Sequence, residues 1–246
     1  ENLFMRGAAV TMSITKNVEA TAFWSRKYID ANLGSMRPEE DTLGTSTPQS
    51  TITSFQEDGF HRTYNELAKK DAVLEEVLGT HVRYHGTSFS VGGTVAHARY
   101  DSRIDRNLQT YNQFEFNGQE NTTAGLDWNV LYRNLNWFGE AATSANGGLA
   151  MNTGVLVALD RRISLSMLFR DYGRDFHGLY SVAFAEGTNP WNERGLYTGV
   201  EIRANRQWSF NAYFDRFRFP WLRFQVNAPS EGSDWLAQVN WRPSKK

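Results

Sequence analysis

The chain has no cysteine among its 246 residues. A disulfide framework, a thiolate metal site and a cysteine nucleophile are therefore excluded. Long hydrophobic runs are missing too: the mean hydropathy is -0.54, and no apolar stretch approaches the roughly 18 residues that a membrane-spanning helix needs. An excess of one charge is also lacking, because the net charge is -1 and the pI about 6.6. The chain as a whole is attracted neither to nucleic acid nor to anionic lipid.

Aromatic residues, in contrast, are plentiful for so polar a chain. They make up 14% of it, with 8 Trp, 10 Tyr and 16 Phe. A transmembrane β-barrel accounts for both observations, since every second strand residue faces lipid while the lumen, turns and loops are polar. A soluble, aromatic-rich β protein is the alternative.

Apolar and polar residues alternate with a period of two through much of the sequence, which predicts β-strands. The clearest runs lie at 18–24, 124–132, 149–159, 163–169, 208–214 and 235–241. The strands are expected to be about 9–11 residues long, the length that a tilted strand needs to cross the hydrocarbon layer. Soluble strands are usually about five or six residues long. We therefore predict an all-β fold, an antiparallel up-and-down transmembrane β-barrel with about eleven strands in this chain.

The connections between the predicted strands alternate between short and long. Short turns with Asn, Gly, Asp and basic residues are expected near 15–17, 85–87, 133–134, 160–162 and 205–206. Long loops are expected near 30–71, 101–121, 173–193 and 219–232, with a shorter one at 145–148. This segregation is typical of the periplasmic turns and extracellular loops of outer-membrane barrels.

The ends of the sequence lead us to expect a barrel that continues beyond them. No export signal opens the chain, so we expect the natural N-terminus to be missing. Single-chain bacterial barrels normally have an even strand number, whereas the predicted number is odd and residues 243–246 resemble a turn with no strand after it. Residues 1–246 are thus predicted to form part of one larger barrel domain.

The first long loop contains a helix signal. Thr63 and Glu66 have the spacing of a capping box, and residues 64–74 have fair helix propensity. A short helix over the barrel mouth is one interpretation. The other is that the segment lengthens the following strand.

Charged and amide residues lie on the strand face opposite the apolar one, and this face is expected to line the lumen. Their mixed signs would set ion selectivity in a pore, or would form a network of buried ion pairs that fills the interior. The candidate lumen-lining residues are Glu19, Lys27, Asp127, Asn129, Glu140, Arg170, Glu201, Arg203 and Asp215.

Catalytic and metal-binding patterns are weak in this sequence. The five histidines form no HExxH or similar metal motif. His97 is expected on the lipid face, with Ser88 and Ser90 on the other face, so the residues do not build a hydrolase triad. We expect no enzyme activity, no cofactor and no metal site.

Two loop segments, 173–195 and 217–232, combine arginine with aromatic residues, as binding hot spots do. An aromatic girdle with loop residues packed over the barrel rim is the alternative. The candidate contact residues are Arg174, Phe176, Trp191, Arg194, Trp221 and Arg223.

Three stretches resemble the barrel region of a family of Bacteroidota outer-membrane proteins that are often labelled helix-hairpin-helix domain-containing. They are YNQFEFNGQENTTAGLDWNVLYRNLNWFGEAATSANGG, YGRDFHGLYSVAFAEGTNPWNERGLYTGVEI and DRFRFPWLRFQVNAPSEG, in this order. The resemblance covers most of the chain and is weakest over 30–54. It implies a barrel preceded by a small module that contacts nucleic acid, a module absent from these residues, and it supplies no catalytic residue.

These observations predict a protein of the bacterial outer membrane that contacts its lipid. The first functional hypothesis is a channel or translocation pore for solutes or a polymer. The second is a structural or accessory barrel subunit, which would contact other envelope proteins in a secretion or uptake assembly. A soluble β protein is the third. Nucleic acid is expected as a partner only through the absent module.

Overall fold

The computed structural model describes residues 4–35, 50–56 and 58–243. Strands dominate this part of the chain, and it contains no helix with the length and hydropathy of a membrane span. The elements are β1 (Gly7–Thr15), β2 (Val18–Ile29), β3 (Ala31–Ser35), β4 (Ser50–Phe55), α1 (Tyr64–Leu67), β5 (Val73–His85), β6 (Phe89–Ile104), β7 (Gly118–Tyr132), β8 (Leu135–Ser144), β9 (Leu149–Asp160), β10 (Ile163–Tyr172), β11 (Glu193–Arg203), β12 (Trp208–Phe219) and β13 (Ser230–Trp241).

Eleven of the described strands form one up-and-down meander. Its order is β1-β2-β5-β6-β7-β8-β9-β10-β11-β12-β13, and every neighbouring pair is antiparallel. The strands of this path have 9 to 16 residues, long enough to cross a hydrocarbon layer when tilted. The predicted all-β, antiparallel, up-and-down class is confirmed.

The region expected as a loop at 30–71 has more structure than the sequence indicated. β3 pairs with β4 in antiparallel fashion, and β4 adds a short parallel bridge to β6 through Thr51 and Ile52. Ile52 is buried in a cluster with Ile29, Val73 and Ile104, and this burial holds the hairpin against the sheet. The long loop predicted there therefore contains a hairpin, β3 and β4, that is not predicted from the sequence. Residues 36–49 and 57 of that loop, and 244–246 of the expected final turn, lie outside the described residues.

The helix predicted in the same region is present but short. The capping box is present, because the Thr63 hydroxyl accepts from the Glu66 amide and the Glu66 carboxylate accepts from the Thr63 amide. The helix spans only four residues, Tyr64–Leu67. The fair helix propensity of residues 64–74 is not realised beyond Leu67, since β5 begins at Val73 and pairs with β2 from Val73 to Tyr84.

The remaining connections alternate in length along the meander. Short turns join the strands at 16–17, 86–88, 133–134, 161–162 and 204–207, and the connections at the opposite end of the sheet run over 30–72, 105–117, 145–148, 173–192 and 220–229. The second of these loops is shorter than expected, because β6 and β7 extend beyond the predicted boundaries.

The outer face of the sheet is defined here by a row of register partners from β6 to β13 in which apolar side chains dominate. Several of them are open to the surroundings: Trp235 is 71% exposed, Met167 52% and Phe214 48%. A soluble sheet buries such a face, so this exposure argues against the soluble alternative. The row consists of Phe89, Val130, Trp137, Val155, Met167, Thr198, Phe214 and Trp235.

Candidate functional site

The opposite, inner face of the sheet carries charge across most of its width. One row of register partners crosses all eleven strands of the meander on this face, and acidic and basic side chains follow one another along it. Side chains that are register partners lie within reach of each other. From β1 to β13 the row consists of Ser13, Glu19, Arg83, Gly92, Asp127, Glu140, Asn152, Arg170, Gly195, Phe217 and Gly232.

All nine candidate lumen-lining residues lie on this inner face, as the strand registers place them. Their environments differ with height along the strands. Three, towards the long loops, are buried: Lys27, Arg170 and Asp215. The others, towards the short turns or mid-strand, are half-buried or exposed: Glu19, Asp127, Asn129, Glu140, Glu201 and Arg203. Whether they line a conducting lumen stays a prediction.

A buried ion cluster occupies the inner face where β10, β11 and β12 meet. The Arg170 Nε donates to a Glu193 carboxylate oxygen at 2.5 Å, and its Nη1 donates to Asp215 at 2.9 Å. The side chains of Arg170 and Glu193 are 0% exposed and that of Asp215 is 3% exposed. Such charges persist in a low-dielectric site only when they are paired. Removing one partner would leave the others uncompensated.

Gly195 provides the space for this cluster. A Cβ atom at that position would lie 2.4 Å from the Arg170 Cζ atom, so any other residue would displace the guanidinium group. The alternation Glu193, Gly195, Tyr197, Gly199 and Glu201 places all five on the inner face. Sequence reasoning missed Glu193 because it assigned this residue to a loop, although the same alternation points to it.

The connection between β10 and β11, residues 173–192, folds back over the inner face; we call it the covering loop. The Asn121 amide donates to the carbonyl of His177 at 2.6 Å, and the Tyr172 hydroxyl donates to that of Phe184 at 3.0 Å. The ring of Phe176 is buried against Tyr172 and Ala150. The loop and the sheet beneath it border a partly open cavity of about 330 Å³.

The middle of the covering loop is attached to β5. The Tyr180 hydroxyl donates to the Glu75 carboxylate, which also pairs with Lys27 at 3.4 Å. Burial, reinforced by Tyr100 and Glu75, raises the pKa of Tyr180. The hydroxyl therefore remains protonated and a donor throughout the ordinary pH range. This contact crosses from β10–β11 to β5, over the strands between them.

A second contact attaches residues 186–187 of the loop to the buried ion cluster. The backbone N–H groups of Glu186 and Gly187 donate to the Glu193 carboxylate at 3.0–3.3 Å. Burial, together with the charges of Asp215 and Glu193, raises the pKa of the Glu186 carboxyl group. The Glu193 carboxylate thus links the covering loop to the buried ion cluster.

Ion pairs nearer the short turns are more open to solvent. Arg83 donates to Asp127 at 2.6 Å, and Arg203 forms a two-pronged contact with Glu201 at 2.9 and 3.0 Å. Exposed pairs of this kind contribute little to stability. They leave this half of the inner face polar.

Three of the candidate contact residues lie together at the loop end. The Arg174 guanidinium lies over the rings of Phe114 and Trp221, at 4.3 and 4.9 Å from their centroids, and Trp221 also donates its indole N–H to the Thr110 carbonyl at 3.0 Å. Arg223 lies over the ring of Phe219 at 3.9 Å. These stacked pairs join the loops at 105–117, 173–192 and 220–229.

The other three candidate contact residues are Phe176, Arg194 and Trp191, and the structure places the first two differently from the prediction. Phe176 is buried, because its ring packs on the sheet, so its assignment to an open contact surface is wrong. Arg194 belongs to β11 rather than to a loop, and it pairs with Asp171 on the outer face. Trp191 is half-buried and lines the cavity next to Arg174.

The histidine and carboxylate side chains are spread over the structure. Within 4–35, 50–56 and 58–243, no three His, Asp or Glu side chains are placed to bind a metal ion. His97 lies on the outer face, where its Nδ1 is 2.9 Å from the Thr122 hydroxyl. The arrangement can therefore pair charges and border a partly open cavity.

Comparison with known proteins assigns the fold. No family model and no curated protein matches this sequence. Solved structures do match, among them two variants of the ferric enterobactin receptor from Pseudomonas aeruginosa, one in complex with enterobactin. Identities are 14% and 13%, TM-scores 0.53 and 0.50, and the matches cover 95% of this chain but 39% and 40% of the receptor chains. The chain has the fold of an outer-membrane β-barrel.

The chain thus spans about two fifths of the length of the receptors that it matches. At these identities the likeness concerns the fold, and the predicted transmembrane barrel class is confirmed at that level.

Proposed function

We propose that this chain forms the wall of a transport pore in the bacterial outer membrane, with the covering loop as its restriction. The observation that carries the proposal is the inverted polarity of the sheet. Charged side chains cross the inner face from Glu19 to Arg170, while large apolar side chains are exposed on the outer face. This polarity suits lipid outside and water inside.

The covering loop supports selective passage rather than free diffusion. It lies over the inner face between β5 and β11 and is held at two points, by Tyr180 on Glu75 and by the Glu186 amide on Glu193. The fold likeness to receptors for ferric enterobactin is in keeping with uptake of a bound solute. The stacked Arg174 and Trp221 lie beside a cavity of about 290 Å³ at the loop end, where an incoming solute would first contact the chain.

A second candidate function is an accessory barrel in an envelope assembly. The same loop favours it, because a covered inner face at the loop end suits a barrel that does not conduct. The two candidates differ in one respect: the pore opens when the loop is released, and the accessory barrel has no conducting state.

Conductance of the full-length protein in planar lipid bilayers separates the two. The wild type is expected to give small or infrequent steps, and the variant Tyr180→Phe, which loses the contact with Glu75, is expected to open at least several times more often. Tyr132→Phe changes a tyrosine far from the loop and is the matched control. Correctly inserted proteins that give no steps in any variant would contradict the pore and leave the accessory barrel.

A further inference from the structure

The outer face carries an arginine cluster at its loop end. Arg194 of β11 and Arg218 of β12 are register partners, so two like charges lie directly opposite each other on neighbouring strands. Like charges in this arrangement destabilise a sheet. Arg216, on the same face of β12 and two residues closer to the short turns, adds a third guanidinium group.

Nearby carboxylates only partly compensate this charge. Asp171 accepts from Arg194 at 2.5 Å, and Glu231 lies 3.3 Å from Arg216. Over the described residues, no carboxylate lies within salt-bridge distance of Arg218. Three guanidinium groups against two carboxylates leave a net positive charge. The guanidinium group without an ion-pair partner in the described part of the chain is that of Arg218, although Glu231 is its register partner on β13.

The surface next to the cluster is apolar. Towards the short turns, the register partners Phe214 and Trp235 are 48% and 71% exposed, and Leu196 is 43% exposed. A molecule that fills this corner would therefore be anionic at one end and apolar at the other. An anionic lipid has these two parts in this arrangement.

We propose that Arg194 and Arg218 bind the phosphate group of an anionic lipid in the leaflet next to the long loops, with its acyl chains against Phe214 and Trp235. Two planar guanidinium groups on adjacent strands match the oxygens of one phosphate, since arginine binds phosphate in a two-pronged manner. The anion between them removes the like-charge repulsion. This inference extends the proposed function, because it needs a lipid-facing outer surface but no conducting lumen.

Native mass spectrometry of the detergent-solubilised full-length protein tests the site, with phosphatidic acid as the probe. Diacylglycerol, which has the same acyl chains and no phosphate, is the lipid control. We expect phosphatidic acid to bind at least about tenfold more tightly than diacylglycerol, and the double variant Arg194→Gln with Arg218→Gln to remove that preference. Arg161→Gln, in a short turn at the other end of the sheet, should leave it unchanged.

A variant that is expected to bind phosphatidic acid more tightly distinguishes loss of the site from a folding defect in the double variant. Glu231→Gln removes one compensating carboxylate and should strengthen phosphatidic acid binding several-fold. Equal binding of phosphatidic acid by the wild type and the double variant would overturn the proposal. So would binding of inorganic phosphate alone as tight as that of the lipid, because the site would then be a phosphate site. The bilayer conductance of the double variant is expected to match that of the wild type, which keeps this test separate from the pore.

Discussion

Replacement of Arg170 by methionine should destabilise the sheet far more than most single substitutions. The change removes the hydrogen bonds of 2.5 and 2.9 Å to Glu193 and Asp215 and leaves two carboxylates buried without their cation. Breaking a buried ion pair in this way costs about 3–5 kcal/mol. Urea unfolding in lipid vesicles, followed by tryptophan fluorescence, measures the difference in the free energy of unfolding.

A matched control separates burial from charge loss. Arg203→Met removes an inner-face arginine from an ion pair too, but the Arg203 side chain is 65% exposed, so its loss should cost under about 1 kcal/mol. Adding Glu193→Gln and Asp215→Asn to Arg170→Met neutralises the two carboxylates that have lost their cation. This triple variant should recover most of the lost stability. Equal destabilisation by Arg170→Met and Arg203→Met would refute the reasoning.

Three further predictions concern the loops. Tyr180→Phe removes the donor to Glu75 and should speed amide hydrogen exchange in the covering loop; an unchanged rate would contradict the anchor. Because burial raises the pKa of Glu186, its contribution to loop stability is present at low pH and lost as the pH rises through that raised pKa. Glu186→Gln should therefore slow exchange in the loop at neutral pH but not near pH 4, whereas identical pH profiles would count against this coupling. Hydrogen bonds from backbone amides lower the pKa of Glu66 below its usual 4.5. The contribution of the capping box to helix stability is therefore present above pH 4.5 and is lost as the pH falls through the lowered pKa. Thr63→Ala should speed exchange at the Glu66 amide at neutral pH, and an equal rate in both proteins would exclude the cap.

Strand periodicity was the most informative feature of the sequence. The run predicted at 149–159 is observed as β9, Leu149–Asp160, and the turn at 133–134 is observed between β7 and β8. One register shift would move every side chain to the other face, so the alternation also determined which residues share a face. The alternation places Arg170 and Asp215 on the inner face, where the structure has them.

The parts that sequence reasoning missed depend on contacts between distant segments. β4 pairs with β6 through Ile52 and Ile104, which are 52 residues apart in the sequence. No local sequence pattern encodes that contact. Phe176 was expected to be open because loop residues usually are, yet its ring fills a space against Ala150. Arg194 was misassigned because strand boundaries are the least certain part of a periodicity argument.

Single-cysteine scanning of β12 tests the inverted polarity on which the proposed function depends. The chain has no cysteine of its own, so each introduced thiol reports on one position. In lipid vesicles, Asn211→Cys and Tyr213→Cys are expected to react with a charged, water-soluble maleimide, while Phe210→Cys, Ala212→Cys and Phe214→Cys are expected to be protected by lipid. Labelling that lacks this period of two, or that marks the outer-face positions, would contradict a water-facing inner surface and a lipid-facing outer one.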